Sequence, residues 1–296
     1  MNSSVVVVTG ALASDPALLN RLEDILSKSG IKIDRIETPR SNVPTTILKV
    51  ETPNEVSENL KEDFSVLSSQ FQTDLVLIPT NLFEKKKKLV VFDMDSTLIT
   101  AEVIDEMAKV HGVGDKVQLI TARAMNGELN FDQSLTERVA LLKGFDRSHM
   151  EAIKNSLTFT PGTEEFLQIL KARGIKTAIA SGGFEYFAHS VKSRLSMDYA
   201  FSNQLDFENE KLSGKITSQI VNAEAKRKII ERLATELKLD LDEIVAIGDG
   251  ANDIPMLLRA GMGIAIHAKE KVRKAAKFSL QYSPMTAVLS LMNEWE

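Results

Sequence analysis

Two carboxylates, Asp93 and Asp95, directly follow the apolar run Leu89–Phe92 in the segment LVVFDMDST. The run predicts a buried parallel strand, and ligands bind outside the carboxyl ends of such strands in open α/β sheets. Acids at a buried strand end cost free energy unless a cation meets them. We therefore interpret Asp93 as a nucleophile and, together with Asp95, as the seat of a hard cation. The alternative is that both acids are turn residues and that one of them caps the next helix.

Two further apolar strands are predicted to end in polar groups suited to phosphate and a divalent cation. Residues 175–180 run into an SGG corner, and residues 244–247 run into GDGAND. The candidate residues are Ser181, Gly182, Gly183, Asp249, Asn252 and Asp253, with Lys226 near the start of the helix before the third strand. Taken alone, SGG and GDGAND also fit ordinary turns or a helix cap. Lys226 also fits a solvated helix position, and Lys228 is a rival for its role. The occurrence of all these groups at or beside strand ends favours one shared site.

Cleavage of a phosphate monoester explains this set of residues. The site must lower the barrier by about 20 kcal/mol or more, mostly through positioning and charge stabilisation. Asp93 can attack phosphorus to form an aspartyl-phosphate that water then hydrolyses. Mg²⁺ prefers hard oxygen ligands, and the carboxylates of Asp93 and Asp249 with the backbone carbonyl of Asp95 can supply them. The Asp95 side chain is then free to protonate the leaving alkoxide and to deprotonate the attacking water.

The remaining candidates are expected to hold the phosphate. The Ser181 hydroxyl and the Gly182 N–H can bind phosphate oxygens, because glycine permits close approach and a helix N-terminus favours an anion. Lys226 places a point charge against the developing negative charge. Asp253 is expected to orient the metal and phosphate ligands from behind. The remaining candidate substrate contacts are Gly183 and Asn252.

The motifs resemble those of a known superfamily. DMDST is similar to the DxDx(T/V) signature of the haloacid dehalogenase superfamily of phosphotransferases, and Ser181, Lys226 and GDGAND match its other motifs. The segments EVIDEMA from Glu102 and AMNGELNFDQSLTERVALLKG from Ala124 resemble the phosphoserine phosphatases within it. This resemblance covers about Leu89 to Trp295. It implies a Mg²⁺-dependent enzyme that hydrolyses O-phospho-L-serine to L-serine and phosphate, the last step of serine synthesis.

Four residues that come later in the chain than the first motif are candidates for substrate binding, and the matching positions in the family contact substrate. Glu102 can pair with the ammonium group of an amino-acid substrate, and Arg138 offers a planar fork for its carboxylate. Phe131 and Met125 could form apolar walls around the short side chain. The alternatives are a surface helix charge for Arg138 and packing inside the cap for Phe131 and Met125.

Strand and helix patterns predict two domains, as the length of 296 residues suggests. The order βαββαβ over residues 1–84 predicts a ferredoxin-like domain. Such a domain could bind an amino acid such as serine, pair subunits into a homodimer, or serve as a purely structural module. Its second helix is expected over Val56–Leu67. Residues 85–296 predict a doubly wound parallel sheet, with a helical cap inserted at about 99–159. The lysine run from Lys85 to Lys88 is expected to be a solvated linker between the domains.

Composition excludes several classes of protein. The chain has no cysteine, which excludes disulfides and thiol nucleophiles. A formal net charge of −5 argues against nucleic acid or an anionic membrane as the main partner. No apolar run approaches 18 residues and no signal peptide is recognisable, so we expect a cytoplasmic protein. The rival functions are a related enzyme acting on another small phosphate ester and a regulatory, amino-acid-sensing protein.

Overall fold

The N-terminal part of the computed structural model, which describes residues 2–41, 43–54 and 58–295, is an antiparallel sheet with two helices. Its elements are β1 (Asn2–Thr9), α1 (Pro16–Lys28), β2 (Lys32–Glu37), β3 (Thr45–Thr52), α2 (Glu58–Phe71) and β4 (Asp74–Pro79). The strand order is β2-β3-β1-β4, and all neighbours are antiparallel. This confirms the ferredoxin-like βαββαβ prediction. Val56, the predicted start of the second helix, lies outside the described residues.

Local sequence explains how α1 begins and which face it buries. The Asp15 carboxylate accepts hydrogen bonds from the backbone N–H groups of Ala17 and Leu18, at 2.9 and 3.1 Å. Pro16 occupies the first turn, where its missing N–H costs nothing. The apolar residues at helical spacing pack onto the sheet, and the fully buried ones are Leu18, Leu22 and Leu26.

The rest of the chain forms a parallel sheet flanked by helices. The strands in this part of the chain are β5 (Leu89–Phe92), β6 (Lys176–Phe184), β7 (Tyr199–Asn203), β8 (Leu205–Glu208), β9 (Lys211–Ile216), β10 (Ile244–Gly248), β11 (Met262–Ile266) and β12 (Phe278–Leu280). The order β12-β11-β10-β5-β6-β7 is parallel throughout, while β8 and β9 form a separate hairpin. The doubly wound parallel sheet is therefore confirmed. The SGG corner, expected just after a strand, lies inside β6.

Helices and short 3-10 turns connect these strands. The helices are α3 (Thr80–Glu84), α4 (Val103–His111), α5 (Gly114–Met125), α6 (Phe131–Leu141), α7 (Ser148–Ser156), α8 (Thr163–Ala172), α9 (Glu185–Arg194), α10 (Ala223–Leu237), α11 (Ile254–Arg259), α12 (Glu270–Ala275) and α13 (Val288–Leu291). The 3-10 turns are Leu241–Glu243, Ala251–Asp253 and Met285–Ala287. Among the described residues, no helix is both long enough and apolar enough to cross a membrane.

Helices α4 to α7 lie between β5 and β6, where the sequence predicts the cap. The β8–β9 hairpin joins them, although it lies far along the chain. Gly144 donates a backbone hydrogen bond to the Leu212 carbonyl at 2.8 Å, and Arg147 donates one to the Glu210 carbonyl at 2.9 Å. The hairpin turns at Asn209 and Glu210, which have positive φ values of 51° and 62°. The cap is thus built from two separate stretches of sequence.

The two sheets are joined by buried polar contacts. The Asp74 carboxylate at the start of β4 accepts backbone hydrogen bonds from Gln281, Tyr282 and Ser283, at 2.7, 3.1 and 2.9 Å. Asp74 itself is buried. These bonds couple the ferredoxin-like unit to the segment that follows β12. The boundary after residue 84 remains a prediction.

The expectation that the whole lysine run is solvated is wrong for Lys87. Its side chain is buried, and its ammonium group donates to the carbonyls of Leu82 and Lys85 at 2.6 and 2.8 Å. Burial lowers the pKa of Lys87 to about 8. Two carbonyl acceptors compensate for the lost water, so this lysine anchors the connection between α3 and β5.

Candidate active site

The register of the parallel sheet brings the first and third strand ends together. Phe92 in β5 lies opposite Ile247 in β10, and the Asp93 N–H donates to the Ile247 carbonyl at 2.9 Å. Asp93 and Asp249 therefore leave adjacent strands at the same edge. Carboxylate oxygens of Asp93, Asp249 and Asp253 all lie within 4.8 Å of one another. Carboxylates this close to one another could hold a divalent cation.

Both carboxylate oxygens of Asp253 accept hydrogen bonds from other groups of the protein. It is fully buried, and its two carboxylate oxygens accept from the Lys226 ammonium at 2.6 Å and the Gly250 N–H at 2.9 Å. Asp93 and Asp249 line the adjacent cavity, whereas Asp253 does not. This arrangement suits Asp93 and Asp249 as direct metal ligands and Asp253 as a group that holds them, the division of roles expected from the sequence.

Lys226 is the buried cation of the site. Its ammonium group is fully buried and lies 2.7 Å from the Asp93 carboxylate as well as 2.6 Å from Asp253. Burial alone would lower the pKa of Lys226, but the two carboxylates raise it above its ordinary value. Lys228 is 64% exposed and lies 3.9 Å from Glu224. The described structure therefore brings Lys226 to the acids and leaves its rival Lys228 at the surface.

The three aspartates that line the cavity, Asp93, Asp95 and Asp249, have raised pKa values. Burial and the nearby Asp253 raise the pKa of Asp93 well above its ordinary value, against the opposing effect of Lys226. Burial, followed by repulsion from Glu102, raises the pKa of Asp95 to about 7. Burial likewise raises the pKa of Asp249 to about 6. Raised carboxyl pKa values in a cleft are typical of sites that hold cations or transfer protons.

Backbone and hydroxyl groups fix these acids in place. The Asp95 carboxylate accepts from the Val103 N–H at 3.1 Å, at the start of α4. The Thr97 hydroxyl donates to Asp249 at 2.8 Å. Ser96, which has a positive φ of 57°, donates its hydroxyl to Glu102 at 2.7 Å. The polar residues of DMDST thus bind both the neighbouring strand end and the N-cap residue of α4.

The SGG corner approaches the acids very closely. Ser181 is fully buried, and its hydroxyl accepts the Gly183 N–H at 2.8 Å. A Cβ on Gly183 would lie 2.6 Å from the Asp95 carboxylate, and one on Gly182 would lie 2.6 Å from the Phe131 ring. A side chain at either position would displace the Asp95 carboxylate or the Phe131 ring, so glycine fits here without a rearrangement.

A cavity of about 150 Å³ lies between the strand ends and the cap. Its core side is formed by Asp93, Asp95, Gly182, Gly183, Phe184, Asp249, Gly250 and Asn252. Its cap side is formed by Glu102, Ile104, Phe131, Leu135 and Arg138. Burial lowers the pKa of the Arg138 guanidinium, which donates to the Ser134 carbonyl at 3.3 Å. The cavity therefore combines an acidic floor with an arginine, a glutamate and apolar walls.

Met125 does not reach this cavity. It is the last residue of α5, and its side chain is 68% exposed. The expected apolar wall is formed by Ile104 and Leu135 together with Phe131. The alternative, that Met125 packs inside the cap, is also wrong because the side chain faces solvent.

Several supporting residues could not be found from motifs. Buried Asn203 joins the SGG corner to the segment before α10, with hydrogen bonds to Gly182 and Val221. The Asn222 amide donates to both oxygens of Asp132 in the cap, at 3.1 and 3.2 Å. Asn222 also caps α10, and a helix-cap pattern before AEAKRK is the signal that could have identified it.

A family model described as haloacid dehalogenase-like hydrolase matches residues 87–261, more than half of the sequence. The chain belongs to the haloacid dehalogenase-like hydrolases. The match contains every candidate catalytic and metal-binding residue identified above. It begins at Lys87, next to β5.

Individual relatives of this hydrolase extend the comparison. A phosphoserine phosphatase of Archaeoglobus fulgidus is 44% identical over 219 residues, which are 74% of this chain and 64% of that protein. A phosphoserine phosphatase of Methanocaldococcus jannaschii is 42% identical over 206 residues, 70% of this chain and 98% of the relative. A crystal structure of a hydrolase of the haloacid dehalogenase family from Salmonella enterica serovar Typhi has a TM-score of 0.86 and 33% identity, covering 98% of this chain and 99% of that chain. The Salmonella protein thus shares the fold over both parts of the chain.

Proposed function

We propose that this hydrolase is a Mg²⁺-dependent phosphatase that converts O-phospho-L-serine and water into L-serine and inorganic phosphate. One observation carries the proposal: Glu102 and Arg138 line the cap side of the same cavity whose floor holds Asp93. A glutamate for the ammonium and an arginine for the carboxylate suit an amino-acid ester. The names of the relatives support the same substrate.

In the proposed reaction, an Asp93 oxygen attacks phosphorus and the bond between phosphorus and the serine oxygen breaks. Asp95 gives its proton to the departing alkoxide, which leaves as L-serine. Asp95 then takes a proton from the water that attacks the aspartyl-phosphate, and Asp93 is regenerated as phosphate departs. The pKa of Asp95, about 7, suits a group that both gives and takes a proton near neutral pH.

Mg²⁺ fits the chemistry of the donors on the floor. The carboxylates of Asp93 and Asp249 with the backbone carbonyl of Asp95 would hold it, since all are hard oxygen ligands. When bound, the ion supplies positive charge that offsets the repulsion between these acids and a phosphate dianion. Lys226 adds a second positive charge from beneath Asp93. The proposed phosphate contacts are Ser181, Gly182, Gly183 and Asn252.

The ferredoxin-like unit, predicted to span residues 1–84, has two proposed roles. It either pairs subunits into a homodimer or binds serine. Because the bonds from Asp74 tie this unit to residues 281–283, both roles are best measured on the full chain. Sedimentation velocity reports the oligomeric state, and equilibrium dialysis with serine reports binding.

Phosphate release by Asp93→Asn and by the wild-type protein tests the proposal. We expect wild type to prefer phosphoserine over sugar and aryl phosphates when Mg²⁺ is present. The variant should fold normally but retain less than about a hundredth of wild-type turnover, since an amide cannot serve as the nucleophile. A preferred substrate without an amino-acid group would refute the substrate assignment. Higher residual turnover would refute the role of Asp93.

A further inference from the structure

Strands β6 and β7 lose register beside the cavity. Ala180 lies opposite Phe201 and Phe184 lies opposite Asn203, so β6 advances four residues where β7 advances two. The extra length is the SGG corner, which bulges away from the ladder. A bulge leaves backbone groups without their regular partners across the sheet. Something else must bind them, because unpaired buried backbone groups are costly.

The Asn203 side chain forms hydrogen bonds with backbone groups at this bulge. Its amide nitrogen donates to the Gly182 carbonyl at 2.7 Å, and its amide oxygen accepts the Val221 N–H at 2.8 Å. Asn203 is fully buried at the end of β7. One partner is an acceptor and the other a donor, so the orientation of the amide is determined by its surroundings.

These two bonds join two parts of the site that are distant in sequence. Gly182 belongs to the proposed phosphate corner and lines the cavity. Val221 precedes Asn222, the N-cap of α10, and α10 carries Lys226. The Val221 carbonyl lies 3.4 Å from the position that a Cβ on Gly182 would occupy, so the two segments are packed together. The amide is a direct bridge between them.

We propose that Asn203 is a positioning residue. It holds the Gly182–Gly183 backbone at the distance from Lys226 and Asp93 that is needed to bind the phosphoryl group in the transition state. The proposal rests on the proposed phosphatase function, but it concerns the phosphoryl end of the substrate and is independent of the serine end. Asn203 does not line the cavity; it acts through Gly182. Its loss should weaken binding of the transition state more than binding of substrate.

Asn203→Asp tests this role with little change in shape. An ionised carboxylate cannot donate to the Gly182 carbonyl, so two acceptors would face each other and the corner would shift. Because burial favours a protonated carboxyl that could still donate, the variant is measured from about pH 7 to pH 9, and the shift should grow as the pH rises. The matched control is Thr177→Val, which removes a buried hydroxyl that bonds Asp198 at 3.3 Å at the other end of β6. Both variants lose a buried hydrogen bond next to the same pair of strands, but only the first changes the corner.

The measurements are kcat and KM for phosphoserine and the inhibition constant of orthovanadate, a mimic of the phosphoryl group in transfer. If the free energy of the lost Asn203–Gly182 hydrogen bond is expressed in binding of the transition state, it corresponds to about a 10- to 100-fold effect on kcat and on the vanadate constant. We expect Asn203→Asp to lower kcat and to raise the vanadate constant by about that factor, with KM changed by less than about threefold. Thr177→Val should leave all three within about twofold of wild type.

A vanadate constant for Asn203→Asp that matches that of Thr177→Val would overturn the proposal. If Asn203→Asp does not fold, Asn203→Ser is measured in its place, since a serine hydroxyl is too short to bond both Gly182 and Val221. Should wild type prefer another phosphate ester, vanadate inhibition of that reaction still tests Asn203. Failure of the substrate assignment and failure of this inference are therefore distinguishable.

Discussion

Replacing Lys226 with Met tests the charge balance beneath the cavity. The lysine ammonium is fully buried and lies 2.7 Å from Asp93 and 2.6 Å from Asp253. Met fills a similar volume without the charge, so two buried carboxylates would then face each other without their cation. Removing one partner from a buried ion pair typically costs about 3–5 kcal/mol. We expect the free energy of unfolding at pH 8 to fall by about this amount.

The sign of the pH dependence follows from the raised pKa of Asp93. Without Lys226 this pKa rises further above the unfolded value of about 3.9. Native protein then holds a proton that unfolded protein releases, so stability decreases as pH rises above about 4, by at most about 1.4 kcal/mol per pH unit for each proton. The loss in Lys226→Met should therefore be smaller at pH 5 than at pH 8. Urea denaturation with EDTA present, which keeps divalent cations from compensating, measures it.

Lys228→Met is the matched control. Lys228 lies two residues further along the same helix and is 64% exposed, with Glu224 3.9 Å away. Its replacement should change neither stability nor phosphatase activity measurably, because exposed ion pairs contribute little. Lys226→Met should also lose at least about 100-fold in kcat/KM, since the negatively charged phosphoryl group would approach Asp93 without the positive charge of Lys226. Equal stability of the two variants at pH 8, or a loss that does not shrink on acidification, would refute this account.

Three further predictions concern the junction, the cap and the metal. Asp74→Asn should lower the free energy of unfolding by about 1–3 kcal/mol in thermal denaturation, because an amide repels one of the three N–H donors; the exposed Asp34→Asn is its control. Arg138→Ala should raise KM for phosphoserine about tenfold or more while KM for an aryl phosphate stays within about threefold. Equal effects on both substrates would contradict the cap assignment. Mg²⁺ affinity measured by calorimetry should rise between pH 5 and 7, because Asp249, with a pKa of about 6, must lose its proton before binding; a flat profile would contradict this.

The strand-end acids could be predicted because their signal is local. An apolar run followed by Asp93 predicts a strand and its end, and a parallel sheet puts Asp93 and Asp249 at the same edge. The strand order, with β10 next to β5, then makes them neighbours. The ferredoxin-like order could be predicted in the same way from short β-branched runs and capped helices such as α1. These patterns require no knowledge of which side chains meet across the molecule.

Other features depend on tertiary contacts that leave no local pattern. Asn203 resembles any asparagine after a strand, and its role exists only because β6 bulges opposite it. Lys87 belongs to a charged run, yet it is buried because its ammonium group donates to two backbone carbonyls. Met125 matches a family segment, but the end of α5 turns its side chain to solvent. In each case the surrounding fold, rather than the residue type, determines the outcome.

The raised pKa values explain why this cavity needs a divalent cation for its proposed chemistry. Burial favours the protonated form of Asp93, and a protonated carboxyl is a poor nucleophile. Positive charge bound to Asp93 and Asp249 lowers the pKa of both, so Asp93 would be ionised when substrate is present. In the proposed arrangement the Asp95 side chain is not a ligand of that charge, so its pKa, which burial and Glu102 raise to about 7, would fall less than that of Asp93. One cation would thus leave an ionised nucleophile beside a protonated acid, the pair of states that in-line transfer from an ester requires.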